Sequence, residues 1–128
     1  MSYDFTTSLD ISFEEAVAKV TEELTKEGFG ILTEIDVQKT LKKKLDVDFR
    51  RYLILGACNP TFAYKALQAE AKIGLMLPCN VLVQEADNGA IEVSAVDPIA
   101  SMAAVENAAL GDIATQVRDK LKKVIDSL

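Results

Sequence analysis

The 128-residue chain has two cysteines, and each precedes an asparagine: Cys58-Asn59 within GACNP and Cys79-Asn80 within PCN. The thiolate is the nucleophilic form of cysteine, and unpaired helix N–H groups favour it. Asn59-Pro60 is a helix-start pattern. Asparagine suits the cap, and proline suits the first helical position, where its missing N–H costs nothing. Cys58, directly before that cap, is thus placed for activation. It also closes a strongly apolar run, where a free cysteine packs as a small apolar group. Both readings stand at this level. Cys79 follows Pro78 at the start of another apolar run with no local positive dipole, which favours packing. Asn80 has the type to satisfy turn backbone groups. Asp97-Pro98 repeats the cap logic, so Asp97 is expected to cap a helix. Cys58, Asn59, Cys79, Asn80 and Asp97 are the candidate pocket or thiol site. The two thiols act together only if they meet in space, within about 7 Å between α-carbons for a bridge. The chain between them reads as a helix followed by GLML, and it returns to the same end of a sheet or to the opposite end. The sequence leaves both open.

Other chemistry is excluded by composition. Histidine is absent. That removes Ser-His-Asp and Cys-His catalysis within one chain, and the commonest transition-metal ligand. Two cysteines do not close a four-thiolate zinc site, so neither metal nor cofactor is expected. Gly28 and Gly30 match no nucleotide-binding fingerprint. Fourteen basic against 20 acidic residues leave a net charge of −6. That balance argues against nucleic acid and against a membrane surface as partners. The start, MSYDFTTSLD, has neither a basic leader nor an apolar segment, and no run has membrane-spanning length. A cytoplasmic location with reduced thiols is expected.

The elements that must position these residues follow from periodicity, and the length suits a single domain over 1–128. Tyr3, Phe5, Thr7 and Leu9 alternate as a half-buried strand. Ser12 and Glu15 form a capping box for a helix carrying Phe13, Val17, Val20 and Leu24, which Gly28 ends. Residues 30–37 alternate again, with Ile31, Thr33, Ile35 and Val37 on one face. A short helix carries Leu41 and Leu45, and Lys42-Lys43-Lys44 reads as its solvated face. RYLILGA, residues 51–57, reads as a central strand. The helix after Pro60 is expected to run to about Gly74, with Phe62, Ala66, Leu67 and Ala71 as its stripe. The strand in LMLPCNVLVQE and the strand 90–96 are joined by Asp87-Asn88-Gly89, where Asn88 and Gly89 accept positive φ. Asp97-Pro98 launches an alanine-rich helical region that Gly111-Asp112 is placed to break or bend. The stripe Leu110, Ile113, Val117, Leu121, Val124 and Leu128 follows.

YLILGACNP, AYKAL, IGLMLPCNVLVQE and VDP, with Met102 four residues after Pro98, together resemble the domain-of-unknown-function 302 family over essentially the whole chain. The resemblance implies an α+β fold similar to that of the TATA-box-binding protein. That fold is a β-α-β(4)-α scheme with a curved, mainly antiparallel sheet covered by helices. The helix after Pro60 is then an extra helix inserted between strands. It also implies a homodimer. The expected function is a small cytoplasmic binding or accessory module with a small-molecule ligand and no established catalysis. The alternative is thiol-dependent redox or sulfur transfer at Cys58, with Cys79 as resolving partner. The alanine-rich segment 99–109 is the expected dimer surface.

Overall fold

The computed structural model describes residues 2–128. Strands β1 (Asp4–Leu9), β2 (Gly30–Asp36), β3 (Tyr52–Cys58), β4 (Cys79–Glu85) and β5 (Ile91–Val96) form one sheet in the order β1-β5-β4-β3-β2. Every neighbouring pair is antiparallel. Helices α1 (Phe13–Lys26) and α2 (Val37–Leu45) follow β1 and β2, and α3 (Pro60–Ala69) lies between β3 and β4. Helices α4 (Pro98–Ser101) and α5 (Ala108–Asp126) close the chain. The architecture is α+β.

The sequence forms α1 as its cap dictates. Ser12 Oγ accepts from the Glu15 N–H at 3.1 Å, and Glu15 Oε1 accepts from the Ser12 N–H at 3.4 Å. Gly28, just past the end, takes φ +86°, the left-handed geometry that glycine adopts cheaply. Val20 and Leu24 of α1 and Leu121 and Val124 of α5 pack in one core with Leu55, Val81, Val83 and Val93 of the sheet. Burying each such side chain stabilises by about 1.5–3 kcal/mol. No helix among the described residues is long and apolar enough to cross a membrane.

Four expectations are corrected. In β2 the register shifts between Ile31 and Thr33, so strict alternation fails. Leu32 is left 68% exposed at the sheet edge, and Val37 begins α2 instead of ending the strand. In the β4–β5 turn, Gly89 has φ +83° but Asn88 does not have positive φ. The three-residue loop closes through Ala86 N–H to Ala90 O at 2.9 Å. Asn88 instead accepts from the Ala90 N–H through its side chain, at 3.0 Å. A three-residue loop needs left-handed geometry only at its last position. The third concerns α3, which ends at Ala69, where Glu70 turns extended, and a separate 3-10 turn spans Ile73–Met76. Finally, Gly111 lies inside α5, and the break in the alanine-rich region falls before Asn107. Asn107 Oδ1 accepts from the Ala109 N–H at 3.0 Å while its Nδ2 donates to Ala69 O at 2.8 Å. A tertiary anchor thus overrides the helix propensity of the alanines.

The Lys42–Lys44 run is exposed, as its flanking acids imply. Lys42 Nζ pairs with Asp46 at 3.2 Å and with Asp48 at 3.3 Å.

Candidate functional site

The register of the two central strands decides the geometry. Ala57 pairs with Cys79, and Gly56 with Asn80. The segment after α3 therefore returns the chain to the same end of the sheet, and Cys58 is the residue after the one that pairs with Cys79. Gly56 permits a close approach here. A Cβ at that position would collide with Thr33 Oγ1 and lie 2.8 Å from Pro78 Cγ. The Leu77–Pro78 peptide that leads into Cys79 is cis.

Both cysteines are free and line an apolar cavity of about 300 Å³. Its walls come from four places. The ends of β3 and β4 supply Ala57, Cys58 and Cys79. Phe62, Ala63, Ala66 and Leu67 project from α3. Ile113, Ala114 and Val117 project from α5. Phe29, Pro98 and Met102 complete the enclosure. The alanines on α3 and α5 leave the volume that larger side chains would fill. No Asp, Glu, Lys or Arg among the described residues lines it.

Cys79 is buried, and burial pushes its thiol from an ordinary value near 9.0 up to about 11, with Cys58 beside it adding to the rise. It is protonated at neutral pH. Cys58 is half-buried at the cavity wall.

Asn59 occupies the cap position of α3, but its side chain makes no capping bond. That expectation is corrected. Its Nδ2 instead donates to Glu27 O at 3.2 Å, and it sits against Gly28, where a Cβ would come within 3.1 Å. The side chain thereby ties the end of α1 to the start of α3, leaving the first turn of α3 without a side-chain acceptor. Asp97 does cap, accepting from the Ile99 N–H at 2.9 Å. It borders the cavity through its neighbour Pro98, which is a wall residue. Asn80 is exposed and lies apart from the cavity, in a depression on the sheet with Tyr3, Tyr52, Leu82 and Ser94. Of the five candidates, Cys58, Asn59 and Cys79 meet in one cavity.

Of the wall residues on α3 and α5, Phe62, Ala66, Leu67, Ile113 and Val117 were visible in apolar stripes at helical spacing, whereas Ala63 and Ala114 were not. Nothing in the sequence said that the two stripes face each other across a gap. A further polar hollow involves Glu14, Glu34, Asp36 and Arg51. There Arg51 is already engaged, with Nη1 donating to Glu14 Oε1 at 2.6 Å and its guanidinium 4.0 Å from the Phe13 ring centre. Among the described residues, no group of three or more His, Cys, Asp and Glu side chains is arranged to hold a metal ion.

The sequence matches the family described as domain of unknown function DUF302 over residues 5–128. A solved structure, that of an uncharacterized conserved DUF302 protein from Bacillus stearothermophilus, is similar with a TM-score of 0.91. It is 27% identical, and the match covers 98% of each chain. No curated protein matches the chain.

Proposed function

Since the chain belongs to the DUF302 family, a domain of unknown function, we propose from its geometry that it is a small binding module whose ligand is a compact apolar molecule. The observation that carries this reading is the cavity of about 300 Å³ between α3, α5 and the β3–β4 end. Its volume sits at the lower end of ligand pockets, which run about 300–1,000 Å³ and pair apolar walls with a few convergent polar groups. Here those groups are the Cys58 and Cys79 thiols and the Asn59 amide. The cytoplasmic setting belongs to the same reading, and the two free thiols suit a reducing compartment. So does the TATA-box-binding-protein-like scheme, which the strand order supports. The homodimer is retained as well. Ile35 on the edge strand is 48% exposed and Ile99 39% exposed, so apolar surface is available for a second copy. Sedimentation at micromolar concentration reads that state.

Thiol redox chemistry has less support. A resolving cysteine must ionise, and Cys79 is held protonated by burial.

The test is a thermal-shift screen with indole, small alkylbenzenes and medium-chain alcohols. At a hundred times Kd, a ligand of the native state adds about 2.7 kcal/mol, which raises Tm by roughly 10 °C for a domain of this size. Ala63→Phe, which fills the cavity from α3, is expected to abolish the shift. Equal shifts in the parent and in Ala63→Phe, or none in the parent, would overturn the reading.

A further inference from the structure

We propose that the cavity takes a medium-chain acyl group from an acyl thioester and carries it on Cys58 as a new thioester. Cys58 ends β3, and the ten-residue helix α3 starts at Pro60. The half-buried Cys58 thiol lines the cavity together with Asn59 and Phe62 of the helix start. A nucleophile at a strand-to-helix turn has backbone N–H groups at hand for an oxyanion. Here the N–H groups of Thr61 and Phe62 lack partners within the helix, and the Asn59 side chain does not cap them. Cys79, 7% exposed, lines the same cavity with its thiol protonated and unpartnered among the described residues, a donor that a bound carbonyl can use.

What the site lacks narrows the donor. The chain has no histidine, and no Asp, Glu, Lys or Arg among the described residues lines the cavity. Without a general acid, the leaving group must depart as readily as the attacking thiolate, which fits a thioester and not an amide or an oxygen ester. With no base in an apolar cavity, water is not activated either, so the acyl group stays. A dry cavity of about 150 Å³ takes up benzene, so one of about 300 Å³ suits an acyl chain of roughly eight carbons. Leu32 and Leu67 line the cavity although they are exposed, and so mark an apolar mouth through which the chain enters. In the transfer, Cys58 Sγ bonds to the carbonyl carbon and the carbonyl π pair moves onto oxygen, beside the α3 N–H groups. The bond to the leaving sulfur then breaks, and the departing thiolate takes up the proton that Cys58 gave to solvent. One thioester replaces another, and no oxidant or reductant is consumed.

The proposal rests on the apolar-ligand reading in taking this cavity as the ligand site. The experiment follows acylation of the reduced protein by octanoyl- and acetyl-coenzyme A at pH 8 by intact mass. One hydroxylamine-sensitive octanoyl group per chain is expected, placed on Cys58 by peptide mapping and absent in Cys58→Ala. Each buried methylene adds up to about fourfold, so octanoyl transfer should outpace acetyl by more than about 50-fold in the native protein. The preference should vanish in urea and in Ala63→Phe. Indole raising Tm without octanoyl transfer would overturn this proposal and leave the binding reading standing. No rise in Tm, with acylation that ignores chain length, would overturn both. Octanoyl found on Cys79 in the native protein would also overturn the proposal.

Discussion

Asn59 shows how one side chain serves a fold in a way its type does not announce. Its type and position suit a cap, yet the amide is spent on Glu27 O, one helix away. Replacing it with alanine removes that bond and leaves a carbonyl short of a partner, a cost of about 1–2 kcal/mol by urea denaturation. A surface asparagine such as Asn80, which is exposed, should cost far less. Cys79 makes a second residue-scale prediction. Its folded value, about 11, lies above the ordinary 9.0. Between those values the unfolded chain loses a proton that the native chain keeps, so stability falls as pH rises. Its contribution is intact below about pH 9 and is lost by about pH 11. The loss should be on the order of 2 kcal/mol. Cys79→Ala, measured beside the parent at pH 8 and 11, should show a correspondingly smaller decline. The repeated Cys-Asn pairs named the residues to watch. Their meeting depended on strand register, which no local pattern encodes when the connecting segment has irregular backbone.

At the scale of elements, what could be read was what short-range physics controls. The capping box of α1 and the left-handed Gly28 were in the sequence because each bond involved spans a few residues. The bulge in β2, the early end of α3 and the break before α5 were not, because each is settled by a distant partner. Asn107 is the clearest example. It caps α5 and also holds Ala69 O and, at 3.2 Å, Glu70 Oε1. Asn107→Ala therefore loses a cap worth about 1 kcal/mol and an α3–α5 tie besides. Asn107→Asp should restore the cap alone, and the difference between the two variants isolates the tie. Gly56→Ala is expected to destabilise by about 1–3 kcal/mol through overpacking against Thr33 and Pro78. Thr33→Ala in the same chain should recover part of it. Full additivity of the pair would argue against that contact.

For the molecule as a whole, the cavity is the product of two layers that do not quite close. Helices α1 and α5 seal the sheet through large side chains, but α3 meets α5 with the small Ala66 against Leu110 and Ile113, and the gap lies beside that contact. Thiol labelling should report this organisation directly. Alkylation of the native protein is expected to modify Cys58 alone, and Cys79 should react at the rate of unfolding. Equal reactivity in the native state would contradict the burial described. Fold class could be read from alternation and helical stripes. An empty space could not, because it reflects the distance between elements rather than the character of any one of them.

The long excursion through residues 59–78 separates two strands that are immediate neighbours in the sheet. Strands β4 and β5 are joined by a three-residue turn, whereas β3 and β4 must find each other across a far larger loop. Each doubling of loop length adds about 0.6 kcal/mol of closure entropy. Tight-turn pairing therefore comes early along the folding route and the β3–β4 seam late. Substitutions that weaken β5 against β4 should slow folding, and those that weaken β3 against β4 should chiefly speed unfolding. The cavity, which exists only once that seam has closed, is then among the last parts of the molecule to form.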